Sequence, residues 1–294
     1  MSLMSAVPFF SEPSRVDEIM NNVGEIAVLP HVVYKVLELS GSDDTSAVEI
    51  ERAIVVDPGF SARVLSLANS AYLALPKKVS SIKDAIMFCG IRHVRELAMT
   101  VGVYDMFVGK SDRDSMRRRG WWRHSLDTAV CAKWIAGKGH LVPIDEAYTC
   151  GLLHLIGKTL LCRFGGEDYE QVENLVGAGY TEIQAEKEVY GADHSDIALR
   201  AALKWGFPQA LSAGMNYLAP PRGDEEFIAH RATVAIGNKI AKYVIEGRQT
   251  REDGTDELEL QAWALEILKF SPDNNDELVA GAIQAIASAQ GFAA

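Results

Sequence analysis

Apolar residues recur along this chain at spacings near 3.6, and the breaks between apolar runs carry helix start and stop signals rather than hairpin turns. His31–Leu39 (HVVYKVLEL) is one such run. Ser46 stands three residues before Glu49, a reciprocal capping pair that opens a helix running to about Val56. Asp57-Pro58 places a cap ahead of a proline whose fixed φ suits the first helical turn. Ser81 with Asp84 opens the next helix and Gly90 ends it, and another helix covers about 91–107. Thr181 with Gln184 repeats the capping box, and further helices fall near 193–205, 208–217, 225–246, 257–268 and 275–290. No alternating run exceeds five residues and no hairpin signal is present. The pattern predicts an all-α fold.

The polar, glycine-bounded stretch 109–120 interrupts the apolar pattern. It predicts a boundary between an N-terminal helical subdomain (14–108) and a second helical subdomain (119–290). Arg113, Arg117, Arg118 and Arg119 cluster there and read as a solvated turn. With 48% hydrophobic and 23% charged residues, the chain can bury a substantial core. A net charge of −11 opposes general nucleic-acid or anionic-membrane binding, both of which need a positive field. No apolar run reaches the length of a membrane span, and the first residues do not follow a signal-peptide pattern. The four cysteines lie in apolar helical patterns without a C-x-x-C pair, as expected of reduced thiols in a cytoplasmic protein.

Chemistry concentrates at Gly151–Lys158, which reads G-L-L-H-L-I-G-K. It resembles the G-L-L-H-D-I-G-K signature of HD phosphohydrolases, in which adjacent His and Asp bind a metal that activates water against a phosphate ester. Leu155 stands where the aspartate is expected. Further motifs resemble the HDOD domains of bacterial signalling proteins: Asp57–Ser70 (DPGFSARVLSLANS), Ser80–Val94 (SSIKDAIMFCGIRHV), WWRHSLDTA, and YGADHSDIALRAALKWGFP. The resemblance covers roughly residues 25–245 and implies an HD-like helical scaffold that has lost its hydrolase chemistry.

By that resemblance the metal histidines fall on His124, His154 and His194, all retained. The paired aspartate falls on Leu155, a histidine pair near Tyr217 and Leu218, and a closing aspartate near Asn238. Three imidazoles without carboxylates do not suit Mg²⁺ or Mn²⁺. They form a remnant site with no cofactor expected, though three histidines could hold Zn²⁺, Ni²⁺ or Fe²⁺ with waters, as an adventitious or structural divalent metal. Asp193, Asp196 and Glu146 are the nearby candidates to replace the lost carboxylates.

Other apparent motifs dissolve on inspection. Gly157-Lys158-Thr159 lacks the P-loop spacing, and Lys158 reads as a helix residue reaching solvent. His194-Ser195-Asp196 lacks a nucleophile elbow. Trp121, Trp122 and Trp134 read as core packing on one helix, Asn69 as a helix–helix joint, and His31, His93 and His140 as surface or half-buried residues. The resemblance implies a non-catalytic signal-transduction module that binds a protein partner or a small nucleotide-like ligand. The alternative is a divergent metal-dependent phosphohydrolase acting on nucleotides or cyclic dinucleotides.

Overall fold

The computed structural model describes residues 15–26, 31–40, 46–70, 73–108, 113–166, 169–218, 221, 225–247, 258–271 and 275–289. Residues 109–112 of the glycine-bounded stretch lie outside them. Every described regular element is an α-helix, as the periodicity predicts. No helix among the described residues is long and apolar enough to cross a membrane.

The helix starts form where the caps were read. Ser46 and Glu49 exchange bonds at the head of α3 (Ala47–Val55), and Thr181 and Gln184 do so at α11 (Glu182–Tyr190). Asp57 accepts the Phe60 N–H at 2.9 Å to open α4 (Pro58–Ala68). Ser81 caps α5 (Ile82–Cys89), which ends at Gly90 with φ +84°, a left-handed conformation that suits glycine. Asn69 donates to the carbonyls of Leu65 and Val79 and accepts from the Val79 N–H at 2.8 Å, which ties α4 to the strap leading into α5. His31, His93 and His140 are exposed. All four cysteines are free, with Cys131 and Cys150 buried.

The N-terminal half consists of α1 (Arg15–Ile26), α2 (His31–Ser40), α3, α4, α5 and α6 (Ile91–Val108). The second half is organised on the 25-residue α7 (Ser115–Gly139), against which α6, α8 (Ile144–Leu153), α14 (Ile228–Ile245) and α16 (Asn275–Ala289) pack. Between α8 and α14 lie α9 (Ile156–Phe164), α10 (Glu170–Gly177), α11, α12 (His194–Lys204) and α13 (Gln209–Met215), and α15 (Ala262–Leu268) packs on α14. One apolar cluster runs from Ile19 to Ala289 through both halves, and α1 packs on α9 and α12.

Three local expectations change. The arginine cluster is a solvated turn only in part: Arg113 and Arg119 are exposed, but α7 already begins at Ser115 and Arg118 is buried, donating to the carbonyls of Phe107 and Val108 at 2.9 Å each. It thereby satisfies backbone acceptors that the end of α6 leaves open. Arg117 pairs with Glu173 at 2.7 Å and with Asp114. Lys158 does not reach solvent but is buried, bonding Glu182 at 2.5 Å over the Trp121 ring. Finally, the stretch from Pro143 and Asp145 to Gly165-Gly166, whose start and stop signals predict one helix through the histidine motif, is two helices, α8 and α9, broken at His154-Leu155. His154 Nδ1–H donates to the Gly151 carbonyl at 2.6 Å, the acceptor a continuing helix would give to the Leu155 N–H.

Candidate functional site

The residues aligned with metal ligands come from five places. His124 lies on α7, His154 in the α8/α9 break, His194 at the start of α12, Tyr217 after α13, and Asn238 on α14. Two glycines of the motif set their approach. A Cβ on Gly151 would stand 2.6 Å from the Ala129 backbone, and one on Gly157 would stand 1.8 Å from the His194 carbonyl. Only glycine lets α8 sit this close to α7, and α9 this close to α12. The spacing of the motif is therefore a packing requirement as well as a chemical one.

His124 and His154 meet across Asn238, their ring centroids 5.5 Å apart. Asn238 Oδ1 lies 2.7 Å from His124 Nε2 and 3.2 Å from His154 Nε2. Burial holds His154 well below the usual histidine range, so its ring is neutral. Its Nδ1 faces a carbonyl, which only accepts, so its single proton is on Nδ1 and its Nε2 presents a lone pair. An amide oxygen cannot serve that lone pair. Half a turn about the Cβ–Cγ bond puts the Asn238 NH₂ in the same place, where two N–H groups can donate to both rings. The proton inventory favours that orientation. His124 is likewise held neutral, pushed down to about 4 by burial.

His194 belongs to a second network. Its Nδ1–H donates to Glu186 Oε2 at 2.6 Å, its backbone N–H donates to the same oxygen at 2.9 Å, and the Tyr169 hydroxyl donates to Oε1 at 2.6 Å. Burial pushes the Glu186 carboxyl up, but His194 and Lys158 outweigh it and the group settles below its usual value. The remaining nitrogen, His194 Nε2, lies 3.2 Å from the Tyr217 hydroxyl. Burial raises Tyr217 far above the usual phenol value, so it keeps its proton. Tyr217 also stands edge-on to His154, centroids 4.9 Å apart, and so separates His194 from the other pair.

A divalent metal does not fit this arrangement. Among the described residues no group of three or more His, Cys, Asp or Glu converges to hold one. The expected triad of His124, His154 and His194 is divided into a pair and a single residue, whose inward nitrogens face Asn238 and Tyr217. The candidate replacement carboxylates are engaged elsewhere. Asp193 caps α12 and pairs with Lys187 at 2.9 Å, Asp196 completes that capping box, and Glu146 bonds His230 at 2.7 Å. The carboxylate that does reach the site, Glu186, and the buried His230 were missed. In E-I-Q-A-E-K-E-V-Y nothing local distinguishes Glu186 from the half-exposed Glu182 and the exposed Glu188.

Comparison with known proteins agrees with the fold. The chain shares its fold with a candidate phosphohydrolase from Shewanella amazonensis SB2B (TM-score 0.69, 24% identity, covering 94% of this chain and 95% of that one). It also shares it with a candidate signal transduction protein from Marinobacter aquaeolei VT8 (TM-score 0.73, 19% identity, covering 96% and 61%). An uncharacterized protein of Treponema pallidum (strain Nichols) is 24% identical over 237 residues, which make up 77% of this chain but 44% of that protein, so the chain spans less than half of that relative's length. The HDOD domain profile matches residues 26–221, covering the capped helices, the glycine-spaced histidine motif and Tyr217, and by that match the chain belongs to the HDOD domain family, a relation of the HD phosphohydrolases.

Proposed function

We propose that this chain is a non-catalytic regulatory module of bacterial cytoplasmic signal transduction, which uses an HD-like scaffold to bind a protein partner or a small ligand. One observation carries the reading: the inward nitrogens of the three histidines are occupied by protein groups. Gly151 and Asn238 engage His154, Asn238 engages His124, and Glu186 and Tyr217 engage His194. Water activation at such a site needs a metal or a free base near neutral pH. His124 and His154, held neutral by burial around one shared amide, and His194, bound between Glu186 and Tyr217, supply neither. The description of the Marinobacter protein as a candidate signal transduction protein points the same way.

The test is turnover. The purified 294-residue chain is incubated with nucleoside triphosphates, cyclic dinucleotides and bis-p-nitrophenyl phosphate, with Mg²⁺, Mn²⁺ or Fe²⁺ and without metal. The expected rate equals that of buffer in every case. Metal-dependent turnover that disappears in His154→Ala would overturn the reading in favour of a divergent phosphohydrolase.

A further inference from the structure

The N-terminal half presents an apolar surface that the core does not use. On α3, Val48 and Val55 are 51% and 48% exposed, and Val56 just beyond the helix is 75% exposed. On α5, which packs beside α3, Met87 is 65% and Phe88 38% exposed. Val48, Arg52 and Val55 follow the i, i+4, i+7 spacing of one helix face. The inward residues of the same helices, Ile50, Ile54, Ile82 and Ala85, are fully or almost fully buried, so these helices have separate core and outer apolar faces.

Charge says what kind of partner fits. Residues 46–93 carry six Lys or Arg against four Asp or Glu, whereas the rest of the chain carries 23 against 36. On α3, α5 and the residues flanking them, Arg52, Lys77, Lys78, Lys83 and Arg92 are exposed against the exposed acids Glu49 and Asp57, so the balance there is positive. Lys77 lies 4.8 Å over the Phe88 ring, so its charge sits directly on the apolar surface. A net positive balance beside exposed aliphatic and aromatic side chains, on a molecule that is otherwise acidic, is complementary to a segment with apolar anchors and flanking carboxylates.

We infer that the α3/α5 face, with Val56, Met87 and Phe88 at its centre and Lys78 and Lys83 on its rim, is a docking surface for an acidic, amphipathic segment of a partner protein. An anionic bilayer is disfavoured because the chain's net charge of −11 repels it at long range. The inference rests on the regulatory reading for the idea that a protein is what binds. Its test does not involve the histidine site, so the two can fail separately.

The experiment measures fluorescence anisotropy of two labelled helical peptides titrated with the full chain. Both carry Leu and Phe on one face. One is flanked by Glu and the other by Lys. The acidic peptide is expected to bind at least about tenfold more tightly than the basic one, and less tightly as salt is raised. Val56→Ser/Met87→Ser is expected to weaken it about tenfold with an unchanged thermal midpoint. Lys78→Glu/Lys83→Glu is expected to abolish the preference for the acidic peptide. Absence of binding, equal binding of both peptides, or affinity unaffected by these variants overturns the proposal. So does a lowered midpoint in the serine variant, which would make those side chains part of the core. Binding of the parent to phosphatidylserine vesicles, or a concentration-dependent dimer, lost in the same variants would instead assign the face to a membrane or to a second copy.

Discussion

His194 donates both its ring Nδ1–H and its backbone N–H to one carboxylate oxygen of Glu186, at 2.6 and 2.9 Å. With the Tyr169 hydroxyl on the other oxygen, a fully buried carboxylate has three donors and joins α11 and α12 to the start of α10. Glu186→Gln removes the charge and turns one acceptor into a donor facing donors. The expected cost is about 3–5 kcal/mol, since it breaks a buried pair by altering one partner. Urea unfolding of parent and variant at pH 7 checks this, and a loss below about 1 kcal/mol would mean the network is not formed.

Gly157→Ala places a methyl group 1.8 Å from the His194 carbonyl in the present backbone, so α9 and α12 must separate. Overpacking of this kind costs about 1–3 kcal/mol, and more where backbone meets backbone. Gly177→Ala is the control, because a Cβ there meets nothing within 4 Å. Thermal unfolding should show a lower midpoint for the first variant and little change for the second.

The account of the lost metal site predicts that it can be partly rebuilt. Leu155→Asp/Asn238→Asp introduces two carboxylates at the positions that align with lost ligands, one buried in the α8/α9 break and one between His124 and His154. Without metal the variant should lose about 2–5 kcal/mol through the buried carboxylate at position 155. Mn²⁺ should return about 2.7 kcal/mol at a hundredfold excess over its dissociation constant. The check is thermal unfolding of parent and variant with and without Mn²⁺. An equal response in both would show that these two positions are misaligned.

The helices and their caps were legible because each depends on a few neighbouring residues: Ser46 with Glu49, Asp57 with Pro58, Thr181 with Gln184. The site residues His124, His154, His194, Tyr217 and Asn238 were legible only through family resemblance, since they come from helices far apart in sequence. What stayed hidden depends on tertiary partners. The burial of Arg118 depends on two carbonyls of the preceding helix, and that of Lys158 on Glu182 of α11. The break at His154 arises from a side chain competing with its own helix for the Gly151 carbonyl. Glu186 sits on a helix that reads as polar, and only the arrival of His194 and Tyr169 makes it part of a core.

The central claim is that His124 and His154 are neutral imidazoles bridged by an amide rather than by a metal. Burial puts His124 at about 4 and His154 well below 6.5, the ordinary value to which both return on unfolding. The unfolded chain therefore binds more protons below pH 6.5. The neutral rings stabilise the fold fully above that pH, and the contribution fades as pH falls toward 4. The most direct measurement is ¹H–¹⁵N NMR of the imidazole nitrogens from pH 7.5 to 5, with and without equimolar Zn²⁺. The account predicts that both rings stay neutral throughout, His154 protonated on Nδ1, with spectra unchanged by the metal. Titration of either ring near pH 6.5, or stoichiometric shifts of His124, His154 and His194 together on adding Zn²⁺, would contradict it.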